Sequence, residues 1–295
     1  MSAAFFSCIP FTMASQSISE LPPFVFFAIQ LSSISVQNYN KSLYKIPANT
    51  LFMGKRLIYM PECHSTNTEA QRLLMQKPLA EGTVVVTDNQ MAGRGQRGNV
   101  WVTEPFRNLT FSVICTPKFL NPANQIYLAM AVSLGVADWL RDLLPAERVN
   151  IKWPNDIIVD GHKLCGILIE NQLAGNQITY AIVGIGININ QVSFDFPFAG
   201  SLKMFIGRDL NLADCMEKVL ERIESRYLML RNEDYGLIRS DYLENLYWFG
   251  EQHIFSQNGK HFPGVITGVD QAGNLEIEIE GKNTSFGFKE VVFIR

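Results

Sequence analysis

The stretch Ile157-Ile158-Val159-Asp160-Gly161-His162-Lys163-Leu164-Cys165-Gly166-Ile167-Leu168-Ile169-Glu170 sets two apolar runs on either side of Asp-Gly. Asp-Gly tolerates the positive φ angles of a tight type I′ turn, so the two runs predict an antiparallel hairpin. Ala174-Gly175-Asn176 then turns the chain into another apolar run over 178–189, giving three successive antiparallel strands. Upstream, Thr83-Val84-Val85-Val86-Thr87 and the run over 109–115 are dense in β-branched residues and predict two more core strands. Ile126, Met130, Leu134, Ala137, Leu140 and Leu144 recur every three or four positions, the pattern of an amphipathic helix covering the sheet. Further helical patterns run over 211–232 and 234–245. Thr66 and Glu69 have capping-box spacing ahead of a helix over 70–76. From 249 onward, short strand-like segments separated by Asn258-Gly259, Ala272-Gly273-Asn274 and Glu280-Gly281 predict a small barrel.

A length of 295 residues fits one large domain and one small one, and the expected boundaries are 54–246 and 247–295. Residues 1–53 do not conform: they hold no arginine and two lysines, Lys41 and Lys45, and the apolar run over 22–31 is too short to span a membrane. Gly54-Lys55-Arg56-Leu57-Ile58-Tyr59 reads as the approach to a first strand. Residues 1–53 are therefore expected to be either a disordered extension or sequence upstream of a start at Met53. The net charge of -3, from 25 basic and 28 acidic residues, supplies no polybasic field for nucleic acid. Cys8, Cys63, Cys115, Cys165 and Cys215 are widely spaced and odd in number, which fits a reducing cytoplasm better than zinc or a disulfide framework.

Three segments carry chemistry. Ala92-Gly93-Arg94-Gly95-Gln96-Arg97-Gly98-Asn99-Val100-Trp101 combines backbone freedom, two guanidinium groups and a stacking surface, the means to grip a phosphorylated ligand. Taken alone, it is equally a solvated turn. Lys152-Trp153-Pro154-Asn155-Asp156 gathers a cation, an amide and a carboxylate at a bend, and Asn155 with Asp156 suits Mg²⁺, or else forms a plain surface turn. Lys163 follows the hairpin turn, and a period of two places Cys165, Ile167 and Ile169 on its face. By itself such a lysine is also a common edge solubiliser. Val183-Gly184-Ile185-Gly186-Ile187-Asn188 has glycines inside a core strand, a sign that a ligand or backbone approaches closely. No nucleophile elbow is present, and Cys165 reads as buried filler.

Taken in order, Ser65-Thr66-Asn67, Gln90, Gly93-Arg94-Gly95, Arg97-Gly98, Trp101, Lys152-Trp153-Pro154-Asn155-Asp156, Lys163 to Glu170 and Gly184 to Asn188 resemble the catalytic domain of biotin protein ligases over 57–246. The resemblance implies an α+β fold: a mixed, largely antiparallel sheet with covering helices and a small C-terminal SH3-like β-barrel. It implies activation of biotin as biotinyl-5′-AMP with ATP and Mg²⁺, then transfer to a lysine of a biotin carboxyl carrier protein. Ser65, Thr66, Asn67 and Gln90, with Arg94, Gly95, Gln96, Lys163 and Gly166, would bind biotin. Gly93, Arg94, Arg97, Trp101, Lys152 and Asn188 would hold ATP and the adenylate, and Asn155 with Asp156 the metal. Lys163, Arg94 and Arg97 would stabilise phosphate charge. Many family members carry arginine where this chain has Gln96, so that arginine's role does not transfer, and retention of the intermediate is what the change puts in question. The resemblance extends to a cytoplasmic enzyme, with no DNA or membrane partner and with a homodimer allowed. A lipoate or octanoate ligase or transferase of the same architecture is the rival reading, and a non-catalytic biotin-sensing regulator is a more distant one.

Overall fold

The computed structural model describes residues 44–295, so the readings made on residues 1–43 lie outside the described residues. Strands β1 (Leu57–Cys63), β2 (Thr83–Gln90), β5 (Leu109–Cys115), β6 (Val149–Lys152), β7 (Asp156–Val159), β8 (His162–Ala174) and β9 (Gln177–Ile187) form one sheet in the order β1-β2-β5-β9-β8-β7-β6. The β1–β2 pair, joined through helix α1 (Thr66–Gln76), is parallel, and all other neighbours are antiparallel. The mixed, largely antiparallel sheet is as expected. A two-stranded hairpin, β3 (Gly93–Arg94) with β4 (Val100–Trp101), stands apart from it.

Period-two alternation divides the sheet into two faces. Val84 and Val86 of β2, Phe111 and Val113 of β5, and Val183, Ile185 and Ile187 of β9 enter the main core, which helices α2 (Ile126–Arg141) and α4 (Leu212–Arg231) share. Val85, Ile114 and Ile182 face the other way and pack with Ala70 of α1 in a smaller cluster. Beyond that cluster the second face carries Thr110, Ser112, Gly184 and Gly186, which offer little apolar surface for a helix to bury. This is the face that remains open for a ligand.

The short helix α3 (Leu202–Ile206) and helix α5 (Tyr235–Glu244) lead to the C-terminal strands β10 (Gln252–Gln257), β11 (Lys260–Val269), β12 (Leu275–Ile279), β13 (Lys282–Phe286) and β14 (Val292–Phe293). They form a five-stranded antiparallel sheet in the order β13-β12-β11-β10-β14, with β13 and β14 at its edges. Phe255, Ile266 and Ile277 of this sheet are fully buried and continuous with the main core.

Residues 44–53, which composition assigns to the N-terminal extension, belong to this folded unit. The buried Glu224 carboxylate accepts the backbone N–H groups of Leu51 at 2.6 Å, Phe52 at 2.8 Å and Met53 at 2.8 Å, and Met53 is fully buried. Tyr44 is buried and donates to Asp88. A composition shift marks where charge is sparse, not where packing stops. No helix among the described residues is long and apolar enough to cross a membrane.

Candidate active site

Helix α1 begins at Thr66 with Ser65 at its N-cap, four residues earlier than periodicity suggests. The expected capping box does not form: Glu69 takes a hydrogen bond from Arg72 at 2.7 Å, and Thr66 turns inward. The Thr66 N–H donates to Gln90 Oε1 at 2.9 Å, and Thr66 Oγ1 lies 2.7 Å from the fully buried Ser112 Oγ. Ser112 Oγ also reaches Asn67 Oδ1 at 2.6 Å. Asn67 Nδ2 donates to Glu170 Oε2 at 2.8 Å and to the Leu168 carbonyl at 3.3 Å. Both N–H groups of the Asn67 amide are thus spent from behind and its Oδ1 is held by Ser112, which fixes the amide in one orientation and leaves Oδ1 one further acceptor position. Neither Ser112 nor Glu170 was assigned a role from sequence. Ser112 could have been found as one of two hydroxyls, with Thr110, spaced two apart in an otherwise apolar strand.

The strand glycines serve side chains rather than a backbone. Ser112 and Gly184 are cross-strand neighbours, and a Cβ at Gly184 would collide with the Asn67 amide. Gly166 and Gly186 are also paired, and a Cβ on either would press into the Trp101 indole. The indole lies in the trough they leave, with its Nε1 buried and without a hydrogen-bond partner among the described residues. Gly93 of β3 differs, since it admits backbone as well: a Cβ there would meet the Trp101 carbonyl and the Gln90 amide. The β3–β4 hairpin, over residues 91–101, borders the pocket as a lid and is seated through Trp101.

Lys163 Nζ lies 2.7 Å from Asp156 Oδ1 and 5.6 Å from the centre of the Trp101 ring. The expectation that Cys165, Ile167 and Ile169 share its face is overturned by a register shift between β7 and β8: Cys165 stands opposite Ile157 and Lys163 opposite Ile158. Leu164 is the extra residue, so Leu164 and Cys165 are both buried, while Lys163 joins Gly166 and Leu168 on the pocket face. Burial pushes the Cys165 thiol well above its usual range, in keeping with inert filler. Lys152 stands 4.8 Å from the Phe293 ring, and burial, then the Arg295 charge, lowers its ammonium to about 8. The Trp153–Pro154 peptide is cis. Trp153 Nε1 donates to Gly273 O at 3.0 Å and Tyr242 to the Pro154 carbonyl at 3.1 Å, which ties this bend to the C-terminal sheet and to α5.

These groups converge on one cavity of about 550 Å³. Ser65, Thr66, Asn67 and Gln90 line one end. Arg94, Gly95, Gln96 and Trp101 line the lid side, and Lys152, Asn155, Asp156, Lys163 and Gly166 the centre. Phe288 and Phe293 of the C-terminal unit close the far wall. Asn188 is not on that wall: it is buried at the end of β9 and donates from Nδ2 to the Gly200 carbonyl at 3.0 Å. Gly93 sits behind the lid, and the Arg97 side chain lies outside the described residues.

Residues 59–188 match the biotin/lipoate A/B protein ligase family. The bifunctional ligase/repressor BirA of Bacillus subtilis is 31% identical over 250 residues, which span 82% of this chain and 74% of that protein. The biotin–[acetyl-CoA-carboxylase] ligase of Paracoccus denitrificans is 30% identical over 226 residues, 72% of this chain and 89% of that one. The chain belongs to the biotin protein ligase family. Among solved structures, the biotin protein ligase of Aquifex aeolicus in complex with biotin and ATP aligns with a TM-score of 0.67 at 27% identity, over 82% of this chain and 99% of that one.

Family membership directs attention to the metal. Among the described residues no cluster of three or more His, Cys, Asp or Glu could hold an ion. Asn155 spends its Nδ2 on the Ile167 carbonyl, which leaves Oδ1 as its acceptor, and Asp156 shares its carboxylate with Lys163. Two oxygen donors beside a cation fit Mg²⁺ that arrives with substrate phosphates and keeps several waters, and not a dedicated protein cage.

Proposed function

We propose that this chain is an ATP-dependent biotin protein ligase that makes biotinyl-5′-AMP and transfers biotin to a lysine of a biotin carboxyl carrier protein. The observation that carries this reading is a single cavity with a pre-oriented polar wall at one end and Lys163 at its centre. Thr66, Asn67 and Gln90, braced by Ser112, offer matched donors and acceptors for a cyclic urea, and a dithiolane tail would leave them unpaired. Lys163 and Arg94 offer positive charge where a carboxylate and a phosphate must meet.

In the first step an oxygen of the biotin carboxylate attacks the α-phosphorus of ATP; the new P–O bond forms as the α–β bond breaks, and pyrophosphate leaves. Lys163, released from Asp156 by the incoming anion, and Arg94 stabilise the charge on the α-phosphoryl group, while the cavity aligns the reactants. Asn155 and Asp156 would hold Mg²⁺, which neutralises phosphate charge when bound. In the second step the carrier amine attacks the acyl carbon, the amide forms, AMP leaves and the amine proton passes to solvent. No protein nucleophile is required. Gln96 lines the pocket and brings no charge to it, so the electrostatic load falls on the cationic side chains around it, Arg94 and Lys163 among them. The reading extends to a cytoplasmic enzyme that acts on a carrier domain, without a DNA or membrane partner, whether monomer or homodimer.

Incubation with ATP, Mg²⁺, biotin and a carrier domain should give a biotinylated carrier by mass, with lipoate inert in parallel. Transfer of lipoate but not biotin would overturn the assignment. Lys163→Ala should abolish biotin-dependent ATP–pyrophosphate exchange, and near-normal exchange would remove Lys163 from its role.

A further inference from the structure

Glu170 takes no part in either chemical step, yet the two halves of the pocket meet at its carboxylate. It lies on β8, opposite Ile182, two residues beyond Leu168 on the pocket face. A single oxygen, Oε2, accepts from Asn67 Nδ2 at 2.8 Å and from Arg94 Nη2 at 2.9 Å. Asn67 belongs to the fixed head-group wall. Arg94 belongs to the lid, whose hairpin is closed by the Gly95 N–H to the Asn99 carbonyl at 2.7 Å.

The strengths of these two contacts differ in kind. The Arg94 contact is an ion pair with side-chain exposures of 46% and 38%, too well solvated to hold the fold together. A pair of that sort biases the position of a loop by a few-fold and yields to a stronger anion. The Asn67 contact is made by a residue only 3% exposed, and there the carboxylate, with Ser112 and the Leu168 carbonyl, fixes which way the amide points. A groove behind the lid, lined by Gly93, Arg94, Leu168 and Glu170, gives the guanidinium space to move.

We propose that Glu170 is a positioning residue that couples the head-group pocket to the lid. It fixes the Asn67 amide for the urea and parks the Arg94 guanidinium at the rim until the substrate carboxylate or phosphate takes it over. The proposal rests on the reading of the site as a biotin pocket. Its two contacts are separable: Glu170→Gln keeps an oxygen for Asn67 but removes the charge that parks Arg94, whereas Glu170→Ala removes both.

The test is amide hydrogen exchange over 91–101 in the ligand-free full chain, together with separate KM values for biotin and ATP in pyrophosphate exchange. Both variants should exchange the lid amides roughly three- to tenfold faster than the parent, with the rest of the sheet unchanged. Glu170→Ala should in addition raise the biotin KM by about tenfold while the ATP KM moves less than twofold. Parent-like lid exchange in Glu170→Gln overturns the parking role, whether or not Glu170→Ala folds. Equal rises in both KM values, or faster exchange across the whole sheet, overturn the coupling in favour of a structural role. The exchange measurement needs no turnover, so an enzyme that failed to use biotin would sink the functional reading without touching this result.

Discussion

Ser112→Ala removes one hydroxyl that is fully buried behind the pocket wall. Its oxygen lies 2.7 Å from Thr66 Oγ1 and 2.6 Å from Asn67 Oδ1. One hydroxyl proton serves one acceptor at a time, so with Ser112 donating to Asn67 Oδ1 the chain of contacts closes only if the Thr66 hydroxyl donates to Ser112, and not to Gln90 Oε1 at 3.4 Å. Alanine leaves Asn67 Oδ1 short of a donor on its buried side, a loss of about 1–2 kcal/mol in stability. For a unit of this size that lowers Tm by roughly 2–8 °C. The freed amide then presents the wrong atoms to the urea part of the time, and biotin affinity should fall about 5–10-fold, while the ATP KM stays within about twofold. Isothermal titration with biotin and thermal unfolding measure the two effects separately. Ser133→Ala is the control, because that buried hydroxyl has no hydrogen-bond partner among the described residues and lies away from the pocket, on α2. Biotin affinity within twofold of the parent, despite a lowered Tm, would refute the argument that Ser112 orients the wall.

Gly186→Ala should unseat the Trp101 indole, shift its emission to the red and slow pyrophosphate exchange by roughly tenfold or more, with the sheet intact; unchanged emission would show that the trough is not the seat. Lys152 loses its proton near pH 8 in the folded protein, so the ATP KM should rise between about pH 7 and 9 and flatten in Lys152→Arg. The sign for stability is opposite. With the folded value below the ordinary 10.5, the unfolded chain binds more protons across that window and stability grows with pH, so a parallel loss of both would rule Lys152 out as the cause. Glu224→Ala should cost about 3 kcal/mol, because three backbone N–H groups lose a charged acceptor, and should expose residues 44–53 to proteolysis; an unchanged Tm would dismiss that clasp.

Where local chemistry decides structure, the chain is legible. Asp160-Gly161 and Gly175-Asn176 turn the β7–β8–β9 meander as read, and the helix expected over 211–232 is α4, Leu212–Arg231, with Asn211 accepting from the N–H groups of Ala213 and Asp214. The polar and cationic halves of the site are equally readable, because Thr66, Asn67, Gln90, Asp156 and Lys163 do line one cavity. What escapes is whatever depends on distant pairing. The extra residue at Leu164, which brings Lys163 onto the pocket face, exists only relative to β7. The bond from Asn188 Nδ2 to the Gly200 carbonyl depends on how the chain returns after β9. Ser112 and Glu170 acquire meaning only once β5 and β8 stand on either side of β9. Residues 44–53 look unlike a domain because their anchor, Glu224, is more than 170 positions downstream.

The trough formed by Gly166 and Gly186 has a consequence for substrate range. Where strands contribute no side chains, the width of the pocket is set by what the lid lays down, and here that is one indole. Shortening residue 101 would widen the floor without touching the urea-binding wall, so an enlarged substrate could be admitted by this one residue while the atoms that identify the head group stay in place.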